Sequence, residues 1–311
     1  MDAAKISPSQ AESSPARRIG VVGSGTMGSG IAHVFARSGF AVTLCDVAQP
    51  QLDRARQSIA GNLAREVRKG KLTEAAAAAA LERICFTTGL AGLGGQNGLA
   101  GVELAVEAAS ERFELKRQIF EELDGLLPQG AILATNTSSI SITRLAAATR
   151  RPERVIGMHF FNPVPVMALV EIIRGLQTSA ETYATVEALA RALDKTPIEV
   201  NDAPGFVSNR VLMPLINEAA FAVMEGVATA EAVDAVFQLG MAHPMGPLTL
   251  ADFIGLDVCV DILRVLQEGH GDPKFRPCPL LVRMVSAGWL GRKTGRGFYI
   301  YPETPREGQT R

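Results

Sequence analysis

Cysteine is scarce in this 311-residue chain: there are four, at positions 45, 85, 259 and 278, and no two share a CxxC spacing. A disulfide framework is therefore excluded. Because Cys45, Cys85 and Cys259 lie in apolar runs, the thiols read as reduced core residues of a cytoplasmic protein, and no metal centre is expected. A surplus of either charge is also lacking, since 31 Lys and Arg balance 32 Asp and Glu for a formal net charge of -1. No field then favours nucleic acid or an anionic membrane, and the expected partner is a small molecule or another subunit. No apolar run approaches the roughly 20 residues that span a bilayer. Residues 1–17 hold no hydrophobic signal core and read as a disordered tail. What remains, 47% hydrophobic and 20% charged, suits a globular chain of two domains with a large core.

From residue 18 the pattern is strand, glycine turn, helix, strand: Arg18 to Val22, Gly23 to Gly30, Ile31 to Ser38, Ala41 to Asp46. This opens a doubly wound α/β, Rossmann-type domain. Two helical stretches, Gln51 to Lys69 and Thr73 to Arg83, precede the next strand, at Ile84 to Thr87. A minimal crossover needs one helix, so the pair reads as an insertion projecting from the sheet. Leu90 to Gly101 contains five glycines and reads as a surface loop. Further strands are expected at Val102 to Val106, Ala131 to Ala134, in the runs holding His159 and Glu171, and at Pro197 to Val200. After Asn201-Asp202-Ala203-Pro204-Gly205 the periodicity becomes helical, over Phe206 to Met224, Ala228 to Leu239, Leu248 to Leu266 and Pro279 to Ala287. The boundary is placed in that turn, giving an α/β domain over 18–201 and an all-α C-terminal domain over 202–311.

Gly23-Ser24-Gly25-Thr26-Met27-Gly28 fits GxGxxG, follows a strand and opens a helix. Gly23 makes the tight turn, Gly25 lets backbone approach a pyrophosphate, and Gly28 lets the helix pack closely. The helix start then offers partial positive charge to phosphates. Asp46 closes the next strand, where it would bond a ribose and repel a 2′-phosphate, which favours NAD over NADP.

His159 ends the apolar run Arg154 to His159, and Glu171 interrupts a second, Val166 to Ile173. That second run is apolar at both parities, so it reads as a strand covered on both faces with Glu171 at least partly buried. A buried carboxylate needs a partner, and the nearest polar candidate in sequence is His159. Histidine held by a carboxylate can serve as a general base. Thr135-Asn136-Thr137-Ser138-Ser139 leaves the end of another strand, where open α/β sheets bind ligands or simply cap the next helix. Asn209 starts a helix, where it could be a cap. Lys293 sits in a glycine-rich basic turn that could reach an anion or be plain surface.

Six segments together carry a resemblance: GSGTMGSGIA at 23–32, NTSSISIT at 136–143, GMHFFNPVPVMALVEII at 157–173, DAPGFVSNR at 202–210, HPMGPLTLADFIGLD at 243–257 and GRKTGRGFY at 291–299. In this order the chain resembles the short-chain 3-hydroxyacyl-CoA dehydrogenase family from about residue 18 to 302. The resemblance implies that His159 is the catalytic base and Glu171 its partner, with Ser138 and Asn209 as polar contacts to substrate. It also implies that the glycine loop with Thr26 and Met27, together with Asp46, Glu111, Lys116, Asn162 and Lys293, forms the NAD site. Lys116 and Ser138 would be shared with substrate, and Lys69 and Asn62 would contact coenzyme A, although many relatives carry serine where Asn62 stands. A homodimer built through the helical domain is implied as well.

The expected reaction is reversible NAD-linked oxidation of a (3S)-3-hydroxyacyl-CoA, short-chain 3-hydroxybutyryl-CoA in particular, to the 3-oxoacyl-CoA. Because Asn209 belongs to the helical domain, the expected site spans an interdomain cleft. Two rivals stand beside this reading: a dehydrogenase of free β-hydroxy (sugar) acids, which needs a cation for the carboxylate, and a non-catalytic, crystallin-like NAD-binding protein.

Overall fold

The computed structural model describes residues 18–94 and 101–302, so the tail expected over 1–17 lies outside the described residues. The chain divides between Asp202 and Ala203 into two compact units. The first is built on an eight-stranded sheet: β1 Arg18–Val22, β2 Ala41–Asp46, β3 Ile84–Thr88, β4 Leu104–Glu107, β5 Ile132–Thr135, β6 Val155–Phe160, β7 Leu169–Arg174 and β8 Thr196–Asn201. The strand order is β3-β2-β1-β4-β5-β6-β7-β8. All neighbours run parallel except β6 and β7, which are antiparallel. The central strands are covered on both faces, which is why β4, β5 and β6 are buried at every position.

Among its described residues this unit has seven helices: α1 Thr26–Arg37, α2 Gln49–Arg68, α3 Glu74–Glu82, α4 Ala91–Gly94, α5 Phe113–Leu126, α6 Ile142–Ala146 and α7 Ala180–Ala192. The architecture is the doubly wound Rossmann type. Several expected boundaries move. Helix α1 begins inside the glycine motif, at Thr26 rather than Ile31. The helical pair does not simply project from the sheet: Leu52, Ala55, Ile59 and Leu63 form one buried stripe of α2 that joins the core with α1. Leu52, Ile59 and Leu63 each contribute about 1.5–3 kcal/mol of burial, enough to hold a 20-residue helix down along that stripe. The glycine-rich stretch opens as the short helix α4, whose Leu93 is fully buried against Gly20, and 95–100 lie outside the described residues. Cys85, expected in the core, is exposed because β3 is the edge strand; Cys45, Cys259 and Cys278 are buried, and all four are free. Val166 and Met167, expected in a strand, are exposed in the connection before β7.

The second unit is helical: α8 Ser208–Met224, α9 Ala230–Gly240, α10 Pro247–Ile254, α11 Leu256–His270 and α12 Pro279–Ser286. The expected single helix from 248 to 266 is two, because Gly255 takes φ +106° between them, a conformation that side chains disfavour. Two buried carboxylates fasten the end of this unit. Asp252 accepts from the backbone N–H groups of Phe298 and Tyr299, each at 3.0 Å. Asp234 accepts from Leu248 N at 2.8 Å and from the Tyr299 hydroxyl at 2.8 Å. No helix among the described residues is long and apolar enough to cross a membrane.

Candidate active site

Strand order reverses direction at β1 and β4, so their carboxyl ends diverge into a crevice. A cavity of about 770 Å³ opens there, lined by Gly23, Gly25, Thr26, Met27, Asp46 and Ala109 among others. The glycines are required by contact. Gly23 takes φ +93°, and a Cβ on it would stand 2.8 Å from the Ala108 carbonyl oxygen; one on Gly28 would stand 1.7 Å from the Gly23 carbonyl oxygen. Gly28 therefore lets α1 pack on the turn itself. Gly25 has nothing within 4 Å of a would-be Cβ, so its backbone faces open space. It caps α1 with no side-chain acceptor, leaving the first N–H groups of the helix for an anion.

Asp46 sits on the cavity wall, and its Oδ2 accepts from both the backbone N and the hydroxyl of Ser24, each at 2.7 Å. Partial burial alone would raise its pKa, but the bonds from Ser24 and from the Val47 N–H outweigh it, and the carboxyl lies below its ordinary value. A permanent anion at the end of β2 suits a ribose diol and disfavours a 2′-phosphate. Cavity size, glycine cradle, open helix start and acidic edge together fit a dinucleotide such as NAD. Ser24, unassigned in the sequence because it fills a free position of GxGxxG, is the residue that fixes this acid.

Antiparallel pairing sets His159 directly opposite Glu171. Cross-strand partners share one face of the sheet, and here the rings and carboxylates of the two strands meet: His159 Nδ1 lies 2.8 Å from Glu171 Oε2. Both are buried, at 8% and 3% exposure. A carboxylate only accepts, so Nδ1 carries the hydrogen and Nε2 is the basic nitrogen. The Phe161 ring packs at 4.6 Å from the imidazole, centroid to centroid. Asn136 Oδ1 accepts from the Phe160 N–H at 2.9 Å, tying the end of β6 to the turn after β5.

Because β5 and β6 are parallel neighbours, the turn carrying Ser138 lies at the same edge of the sheet as His159. Glu111 gathers that turn. Its Oε1 accepts from the Thr137 hydroxyl, from Ser138 N at 2.9 Å and from Ser139 N at 3.2 Å. Burial raises the Glu111 pKa, yet the Lys116 ammonium and the bonds from Thr137 and Ser138 bring it below its ordinary value. Lys116 is 1% exposed and ion-paired to Glu107 at 2.8 Å and to Glu111 at 3.3 Å. It is thus an interior residue and not part of the cavity wall that holds Asp46. Asn162 is exposed in the connection after β6.

Asn62 lies on α2, where its side-chain oxygen accepts from Arg65, and exposed Lys69 ends that helix. In the helical unit, Asn209 is buried near the start of α8, and Lys293 donates to both oxygens of Asp257 at 2.6 Å. Among the described residues no group of three or more His, Cys, Asp or Glu is arranged to hold a metal ion.

Comparison with known proteins matches residues 18–203 to the family model "3-hydroxyacyl-CoA dehydrogenase, NAD binding domain" and residues 205–301 to "3-hydroxyacyl-CoA dehydrogenase, C-terminal domain". A probable 3-hydroxybutyryl-CoA dehydrogenase of Bacillus subtilis is 53% identical over 287 residues, 92% of this chain and 98% of that protein. The 3-hydroxybutyryl-CoA dehydrogenase of Bradyrhizobium diazoefficiens is 53% identical over 285 residues, 92% of this chain and 95% of that protein. The crystal structure of (S)-3-hydroxybutyryl-CoA dehydrogenase from Ralstonia eutropha superposes with a TM-score of 0.88 at 50% identity, covering 93% of this chain and all of that one.

Proposed function

Because the chain belongs to the 3-hydroxyacyl-CoA dehydrogenase family and is an NAD-dependent oxidoreductase, we propose that it interconverts (3S)-3-hydroxybutyryl-CoA and acetoacetyl-CoA with His159 as general acid and base. The observation that carries this reading is the buried contact of His159 Nδ1 with Glu171 Oε2 at 2.8 Å. With Nδ1–H committed to the carboxylate, Nε2 accepts the proton of the substrate's 3-hydroxyl. Bound NAD supplies the acceptor for the hydride leaving the third carbon. Glu171 fixes the imidazole ring and its tautomer, and compensates the imidazolium formed when the proton arrives. In the reverse direction the same nitrogen returns the proton to the 3-oxo oxygen.

Ser138 is assigned to the substrate on its position at the end of β5, in a turn that Glu111 holds rigid. Asn209, Lys293, Asn62, Lys69 and Asn162 are assigned on their family motifs alone. Polar groups that hold the substrate in one orientation let hydride and proton leave together. The exposed apolar residues of the helical unit, among them Val211, Leu239, Met241 and Phe253, support a homodimer, which sedimentation tests. Free cysteines support a cytoplasmic location.

The experiment is loss of NADH absorbance on adding acetoacetyl-CoA to purified protein, set beside free acetoacetate. Turnover of the thioester with little of the free acid is expected. Equal use of the free acid would favour the sugar-acid type of dehydrogenase, and NADH binding without any turnover would leave a non-catalytic binding protein.

A further inference from the structure

Glu107 closes β4 with no exposure to solvent, and its carboxylate has four donor contacts. Oε1 accepts from Ala109 N at 2.6 Å and from Lys116 Nζ at 2.8 Å. Oε2 accepts from Lys116 Nζ at 2.9 Å and from the Thr135 hydroxyl at 2.6 Å. Two of these partners matter to the site: Ala109 lines the dinucleotide cavity, and Thr135 ends the strand that leads into the Ser138 turn.

An ammonium has three hydrogens. Around that of Lys116 stand both Glu107 oxygens, the Ala109 carbonyl at 3.2 Å and Glu111 Oε2 at 3.3 Å. These acceptors all lie inside the protein, and the side chain is 1% exposed. Its charge serves two carboxylates, Glu107 and Glu111. Glu111 in turn collects the N–H groups of Ser138 and Ser139.

A buried ion pair is weak evidence for stability, because desolvation of both ions offsets their attraction. What this pair does is directional. It fixes the place of one Glu111 oxygen, and the other oxygen then organises the turn.

We propose that Glu107 is the positioning residue of this site: paired with Lys116, it holds the Glu111 carboxylate against the Thr137–Ser139 turn and so fixes Ser138, touching neither cofactor nor substrate itself. The inference rests on the assignment of Ser138 to the substrate. It gives Lys116 a positioning role as well, beside the ligand role that the family motif implies.

The test is a double-mutant cycle of Glu107→Gln and Lys116→Met in the full chain, read by kcat and KM for acetoacetyl-CoA, by NADH titration and by thermal midpoint. Residues that act as one unit have non-additive effects. Each single variant and the double should therefore lose a similar kcat, roughly 10–100-fold. In Lys116→Met the acid limb of the kcat profile should also move to higher pH, since Glu111 loses its cation. Should an uncompensated single variant fail to fold, the double, which buries no lone charge, carries the test through its kcat.

A ligand role alone for Lys116 predicts otherwise: Lys116→Met would weaken NADH binding or raise KM while Glu107→Gln stayed near wild type, and that pattern overturns the proposal. A purely structural pair would lower the thermal midpoint and leave kcat unchanged, which overturns it too. Wild-type protein inert toward acetoacetyl-CoA would instead defeat the assigned reaction, so the two failures are distinct.

Discussion

The two halves of this sheet edge work by opposite means. At β1 and β2 the machinery is backbone: glycines lacking a Cβ, an uncapped helix start, and one carboxylate held by Ser24. At β5, β6 and β7 it is side chain: an imidazole set by Glu171, and a serine turn set by Glu111. The first half binds a large anionic molecule that must approach the main chain, so atoms have to be missing. The second half, on the proposed mechanism, moves one proton at one atom, so atoms have to be present and rigid. A binding site is thus legible as spacing along the chain, whereas an acid–base site depends on partners brought from elsewhere.

This contrast can be broken most sharply at the proton. His159→Gln should lower kcat by about 10² to 10⁴-fold, roughly 3 to 5 kcal/mol, with NADH affinity nearly intact. Stopped-flow turnover and fluorescence titration measure the two; equal turnover would remove His159 from the chemistry. Glu171→Gln keeps the size but not the charge, and its loss of kcat should be smaller, on the order of tenfold to a thousandfold. If Glu171→Gln cost more than His159→Gln, the carboxylate would be the base.

On the backbone side the expected signature is reversed. Gly28→Ala forces a Cβ to 1.7 Å from the Gly23 carbonyl oxygen, so the turn must shift. The expected cost is about 1–3 kcal/mol or more of stability, with NADH affinity falling well before any change at His159. Calorimetry and NADH titration on the same sample check it. Asp46→Ala should raise the NADH dissociation constant by about tenfold, as for loss of hydrogen bonds to a charged group, and narrow the preference over NADPH. An unchanged preference would mean that selection lies elsewhere.

The smallest effect concerns a residue that serves neither half. His33 is fully buried on α1, its ring nitrogens lack hydrogen-bond partners, and burial lowers its pKa from 6.5 to about 4. Between those values the unfolded chain binds a proton that the folded chain refuses, so stability falls as pH drops from about 6.5 to about 4. The slope is at most one proton's worth, about 1.4 kcal/mol per pH unit. His33→Leu should flatten that part of the curve and change little at neutral pH. Denaturant titrations at several pH values read it, and an unaltered slope would assign the acid sensitivity to the carboxylates.

Much of the fold was readable because its signals are local. Gly23, Gly25 and Gly28 lie within one turn of chain, and Asp46 ends the strand that follows. Errors arose where a local pattern met tertiary context. Val166 and Met167 look like strand but lie in a connection, and Cys85 looks buried but lies on the edge strand. Leu248 to Leu266 looks like one helix, until Gly255 breaks it at φ +106°. Glu107 carries the same signal that singles out Glu171, a carboxylate set within an apolar run, but its partner is a lysine on α5 rather than a histidine.

The sequence by itself determined the βαβ start, the helical second half, the dinucleotide loop and the histidine that is proposed to react. These follow from periodicity and from residues close in the chain, where geometry is set by a few dihedral angles. Only the tertiary structure decided the register that sets His159 opposite Glu171, that Ser24 holds Asp46, and that Glu111 gathers the Ser138 turn. Each depends on which strands are neighbours and in what register, and strand pairing is fixed by burial of the whole sheet, a quantity that no short segment carries.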